Sequence, residues 1–155
     1  MLRKYLMCFL VSMVPLIELR GAIPIALGMD LKAIPSIIVC CVGNMLPVPV
    51  IYFFARKFLL WGRDKAYIGK LCTFFLVKGE RAGQKLVAKT GRKGLFLALM
   101  LFVGIPIPGT GAWTGTLGAS FLDMGFKSTV VAVSLGILMA GGLMAMFSMG
   151  LVHIF

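Results

Sequence analysis

Two charged side chains interrupt the first long apolar stretch of this sequence. They are Glu18 and Arg20, bounded by Pro15 and Pro24. A charge at membrane depth costs at least ~2.5 kcal/mol, so it must face protein or water and it marks a site. Residues two apart on a helix do not share a face, but at a proline-bounded break both can line one cavity. A carboxylate there is the residue type that carries a coupling proton. A guanidinium there can hold a phosphate or carboxylate through paired hydrogen bonds. The alternative is a structural ion pair that holds the break together, and the two roles are compatible.

A second break runs from Gly104 to Gly115 and carries no charge. It offers backbone instead: glycines permit close approach, and free N–H groups at a helix start attract anions. Pro106, Pro108, Gly109 and Gly111 shape it, while Thr110, Trp113 and Thr114 add hydroxyls and an aromatic plane. The Lys-Ser/Thr ending of a nucleotide loop is missing. A tight turn buried in protein is the other reading. Pro24 and Asn44 complete the expected cavity lining. Asn44 stands ahead of Pro47 and Pro49, which free backbone carbonyls that its amide can satisfy. No Ser-His-Asp, Cys-His or paired-carboxylate arrangement occurs, so no enzyme is expected. Cys8, Cys40, Cys41 and Cys72 form no CxxC pair and read as packing residues, with neither metal nor cofactor expected.

These residues must be positioned by membrane helices. Of 155 residues, 60% are hydrophobic and 14% charged. That is well below the charged share of soluble domains, and a chain this small cannot bury so much apolar surface. The net charge of +11 invites a nucleic-acid reading, but the basic residues are not laid over a soluble fold. Eleven of the 16 lie within residues 56–93, against Asp64 and Glu80 alone. By the positive-inside rule this segment is cytoplasmic and fixes the orientation in the inner, or plasma, membrane. Lys78, Arg81, Lys85, Lys89 and Arg92 share one face if the segment is helical, an amphipathic surface for anionic headgroups. Gly79, Gly83 and Gly91 weaken that helix.

Residues 33–55 and 128–152 are uncharged runs long enough to span a core about 30 Å thick. The stretches 5–29 and 94–122 are cut by their breaks into pieces about half a bilayer long. Irregular backbone at that depth survives only under protein or around a wet cavity. The piece lengths favour re-entrant helical hairpins over kinked full crossings. The expected fold is therefore an all-α integral membrane protein, one domain over 1–155. It has two pseudo-repeats (1–55 and 94–155), each a broken hairpin followed by a transmembrane helix, joined by the basic segment 56–93. Re-entrant hairpins would make the repeats inverted, a recurring transporter architecture. Full crossings would leave both termini cytoplasmic. Ala132, Gly136 and Ala140 form a small-residue stripe expected to pair two copies in a homo-oligomer.

Three motifs carry a resemblance. Pro15-Leu16-Ile17-Glu18-Leu19-Arg20-Gly21-Ala22-Ile23-Pro24 resembles the hallmark of the small multidrug export protein family. Gly43-Asn44-Met45-Leu46-Pro47-Val48-Pro49 resembles its second signature, and Pro106-Ile107-Pro108-Gly109-Thr110-Gly111-Ala112-Trp113-Thr114-Gly115 its third. They occur in the family's order and cover nearly the whole chain. The resemblance implies a small transporter-like membrane protein. That family is in turn distantly similar to the DedA (VTT-domain) proteins. Those imply facing re-entrant hairpins and movement of lipids, including polyprenyl phosphates, with acidic residues that map loosely onto Glu18. Arginines of their second hairpin have no counterpart here, the nearest being Arg92.

The expected activity is proton-coupled export of small amphipathic compounds, with Glu18 and Arg20 handling proton and substrate. A translocase of lipids or lipid phosphates and a non-transport membrane scaffold are the alternatives. Cationic compounds call for an unpaired carboxylate and phosphate lipids for an available Arg, so the discriminator is whether Glu18 neutralises Arg20. Either transport reading calls for a wet cavity at the two breaks, with membrane lipids and protons as partners.

Overall fold

The computed structural model describes residues 1–154 apart from Leu16 and Pro108, with side chains as far as Gly150. Among the described residues the chain is helical, without strands. The elements are α1 (Leu2–Met13), α2 (Glu18–Gly28), α3 (Ala33–Met45), α4 (Pro47–Arg63), α5 (Gly69–Gly104), α6 (Ala112–Phe121) and α7 (Phe126–Ile154).

Both breaks follow one steric rule. The residue before a proline is pushed out of helical conformation. Val14 (φ −72°, ψ 128°) precedes Pro15 and ends α1. Ile105 (φ −79°, ψ 121°) precedes Pro106 and ends α5. Leu46 stays helical ahead of Pro47, so α3 and α4 run on as one apolar helix from Ala33 to Arg63. That helix and α7 are long and apolar enough to cross a membrane. The first of them continues eight residues past 55, the expected end of that span, into the basic segment.

The arms of each hairpin lie together: α1 against α2, and the last part of α5 against α6. Each second arm then reaches across the molecule. Helix α2 packs on α7, and α6 packs on α4. Both second arms end in one capping motif. Asp30 (φ 58°) and Asp123 (φ 55°) take the left-handed conformation, which Asp tolerates better than most residues. After Asp30, the Leu31 N–H donates to Ala26 O (3.1 Å); after Asp123, the Met124 N–H donates to Ala119 O (2.9 Å). Leu31 and Met124 are both buried, the apolar contact that accompanies this Schellman cap.

The small-residue stripe of α7 is not on the surface. Ala132, Gly136 and Ala140 are buried within the single chain. A Cβ on Gly136 would stand 2.7 Å from Met100 O and 2.7 Å from the Val103 Cβ of α5. The expected pairing of two copies through this stripe is therefore corrected: its close approach is used inside the protomer. Gly43 does the same in the first half, facing Ser12 Oγ and Phe9 O of α1.

The basic segment is helical and docked. Gly79 and Gly83, expected to weaken a helix, face the carbonyl oxygens of Phe121 and Leu122, where a Cβ would sit only 2.3 and 2.5 Å away. Gly91 does break it: its φ of 71° and ψ of 173° belong to a region that only glycine adopts readily. Arg92 follows this kink and so does not continue the face of Lys78, Arg81, Lys85 and Lys89. The Arg56–Asp123 ion pair and a hydrogen bond from Tyr52 Oη to Met124 O tie α4 to the turn after α6.

The Gly136 contact generates a prediction. Gly136→Leu overpacks the α5–α7 seam and destabilises the detergent-solubilised protein by about 1–3 kcal/mol, read as a lower thermal midpoint. Unchanged melting with reduced self-association would instead place the stripe between copies.

Candidate functional site

Glu18 and Arg20 do not pair with each other. Among the described residues neither forms an ion pair, and each reaches across to the uncharged second break. Glu18 is 6% exposed and begins α2 in a left-handed conformation (φ 49°). Its carboxylate accepts from the Trp113 N–H (3.1 Å) and the Ala112 N–H (3.3 Å), the first free donors of α6. A negative side chain at that end also complements the helix dipole.

Arg20 acts at the opposite pole. It donates through Nη1 to Ile107 O and through Nη2 to Ile105 O (3.1 Å), Val103 O (3.5 Å) and Thr110 Oγ1 (3.0 Å). Apart from the Thr110 hydroxyl these are carbonyls at the end of α5 and in the turn after it, where Ile105 O and Ile107 O also accept from the Ile107 and Thr110 N–H groups. Trp113 returns the contact, its indole N–H donating to Met13 O at the end of α1 (3.1 Å). Each hairpin thus bonds to backbone groups of the other, in both directions.

Gly111 is required by space rather than by backbone strain, its φ of 173° being extended. An ideal Cβ there would lie 2.1 Å from a Glu18 carboxylate oxygen. The positive φ in this turn belongs to Gly109, at 86°.

An open groove of about 930 Å³ lies where the breaks meet α7. Arg20, Pro106 and Gly109 border it, with Ile17, Leu143 and Phe147 among its apolar wall. The remaining expected lining residues are dispersed. Trp113 borders an aromatic groove beside α4, and Thr114 a small apolar one between α5 and α6. Thr110 is bonded to Arg20, Gly111 is buried under Glu18, and Pro24 lies on the exposed side of α2. Asn44 is 1% exposed, and its amide has no hydrogen-bond partner among the described residues, so it does not satisfy the carbonyls freed by Pro47 and Pro49. Pro108 lies outside the described residues. Sequence reading missed Leu143 and Phe147, which sit in a uniformly apolar helix with no local signal.

With this geometry in view, comparison with known families is decisive. The family model described as "putative small multi-drug export protein" matches residues 18–143, from the Glu18 carboxylate past the groove wall at Leu143. The chain belongs to this family. No curated protein and no solved structure matches it. As a small multidrug export family member it is a membrane protein of transporter type, and the first matched residue is the carboxylate that joins its two breaks.

Removing that acceptor tests the junction. Glu18→Ala leaves two buried N–H groups unsatisfied and costs about 1–3 kcal/mol of stability. Glu18→Gln keeps an acceptor and costs less. Thermal unfolding should rank wild type above Gln above Ala; equal midpoints for all three would rule out the helix-end contact.

Proposed function

We propose that the protein is a proton-coupled secondary exporter of small amphipathic compounds in the inner membrane. The observation that carries this reading is the open groove at the meeting of the two breaks, with a guanidinium on one wall and the apolar face of α7 on the other. An amphipathic molecule needs that combination: a charged contact for its head and an apolar surface for its body. A scaffold role would be better served by a packed centre.

The proton acts through Glu18. The ionised carboxylate accepts from two α6 amides at once; adding a proton turns one oxygen into a hydroxyl and weakens that double contact. Helix α6 is then held less firmly, and so is the turn before it, whose Pro106 and Gly109 border the groove. The hairpins are re-entrant in this proposal. The arms α1, α2 and α6 have 12, 11 and 10 residues, each about 15–18 Å long and too short for a ~30 Å core. An inverted repeat is supported by the matched Schellman caps and by Gly43 and Gly136, which are separated by the same interval as Asp30 and Asp123. A second copy completes the pathway, because one chain leaves the groove open along its side.

A second reading, translocation of a lipid phosphate, is favoured by one observation. Arg20 borders the open groove and forms no direct ion pair among the described residues, so its guanidinium can meet an anionic head there, whereas Glu18 is buried against amides.

Reconstitution into proteoliposomes under an imposed pH gradient tests these readings, with fluorescent amphiphiles bearing cationic or acidic heads and a labelled lipid phosphate. The proposal expects gradient-dependent movement of the small amphiphiles. Leu143→Trp narrows the groove from the α7 wall while keeping Glu18 and Arg20, and should cut transport at least about tenfold while leaving thermal unfolding unchanged. Full transport by Leu143→Trp would remove the groove from the pathway, and movement of the lipid phosphate alone would favour the second reading.

A further inference from the structure

The corner between α4 and α5 carries a site that the export reading does not use. An open cleft of about 820 Å³ is bordered by Arg63 and Lys65 from the α4 side and by Lys70, Lys78 and Arg81 from α5. Two glycines build this corner. A Cβ on Gly69 would meet Arg63 O at 2.6 Å, and one on Gly62 would meet Cys72 Sγ at 2.5 Å. Any side chain at either position would push α4 and α5 apart. Because they close tightly, the charged end of α4 is brought against the face of α5 formed by residues 70, 74, 77, 78 and 81.

Five cations therefore surround one cleft, with Asp64 as the acidic neighbour, 3.7 Å from Arg63 Nε. Their mutual repulsion is relieved by an anion. The level of the cleft says which kind. The apolar span from Ala33 ends at Arg63, so the corner lies at the membrane surface. Aromatic rings that favour that depth flank it: Trp61, Tyr67 and Phe74 are all exposed, with Lys65 Nζ 4.8 Å over the Trp61 ring and Lys78 Nζ 4.8 Å over the Phe74 ring. Phosphates at that level belong to lipid headgroups.

We infer that this cleft is a binding site for the phosphate headgroup of an anionic phospholipid, held by Lys70, Lys78 and Arg81 together with Arg63 and Lys65. Such a site differs from the general attraction of a basic segment to a charged surface. It localises the lipid to one corner, and it predicts that equal charges elsewhere on the protein do not substitute for these.

The test compares two variants of equal net charge. Lys70, Lys78 and Arg81 are all changed to Ala in one; exposed Lys57, Lys85 and Lys89, outside the cleft, are changed to Ala in the other. Each purified full-length protein is titrated in detergent with cardiolipin, phosphatidylglycerol and phosphatidylethanolamine, and lipid adducts are counted by native mass spectrometry. Thermal unfolding checks that both variants are folded. The expected result is retention of the two anionic lipids by wild type and by the outside variant, and binding weakened by roughly tenfold or more in the cleft variant. Equal weakening in both variants would overturn the site, as would phosphatidylethanolamine binding as tightly as the anionic lipids. Displacement of lipid by millimolar inorganic phosphate would assign the cleft to a soluble anion instead and overturn the lipid assignment.

Discussion

A chain that stops being helical leaves amide and carbonyl groups without their intrahelical partners. Such groups are costly where they are buried and unpaired, and this fold contains two breaks. They fall at Pro15 and Pro106, where the preceding residues Val14 and Ile105 are extended, the conformation that a following proline favours. The solution is reciprocal. Glu18 of the first break accepts from the opening amides of α6, and Arg20 donates to the closing carbonyls of α5. Trp113 of the second break donates to the last carbonyl of α1. The two hairpins are therefore not independent units: hydrogen bonds run between them in both directions, and the groove lies where they meet.

The exchange is also asymmetric between the halves. Glu18 and Gly111 are separated by the same interval that separates Asp30 from Asp123 and Gly43 from Gly136. They occupy equivalent places at the starts of α2 and α6, and those places meet. The space where a Gly111 side chain would begin is filled by the Glu18 carboxylate. With the Glu18 carboxylate in this place, a glycine at 111 leaves it room. The two breaks thus meet at one buried carboxylate, contributed by the first of them alone.

Much of this was legible in the chain. The apolar runs, the two proline breaks and the basic middle segment identify a membrane protein of helices and hairpins, because length and charge act through solvation and need no partner. Glu18 and Arg20 stand out for the same reason. What they bind was not legible: residues two apart in sequence invite pairing, and only the arrival of the second hairpin directs one to helix amides and the other to carbonyls. The Ala132-Gly136-Ala140 stripe failed similarly. Small residues announce a close helix contact but not whose helix, and α5 of the same chain takes it. Gly79 and Gly83 read locally as helix-weakening, yet their value lies in contact with the carbonyls after α6. Leu143 and Phe147 were invisible because a groove wall in an apolar helix has the same composition as its lipid-facing side.

The central claim is that the Glu18 carboxylate holds the start of α6. The chain has two tryptophans, Trp61 and Trp113, so a sample labelled with ¹⁵N at Trp alone gives an amide spectrum of two backbone signals and two indole signals. A backbone N–H bonded to a carboxylate resonates downfield of one that is not. In Glu18→Gln the Trp113 backbone signal should move upfield while both Trp61 signals stay in place. A Trp113 backbone signal unchanged by that substitution, in protein that is folded, would contradict the account.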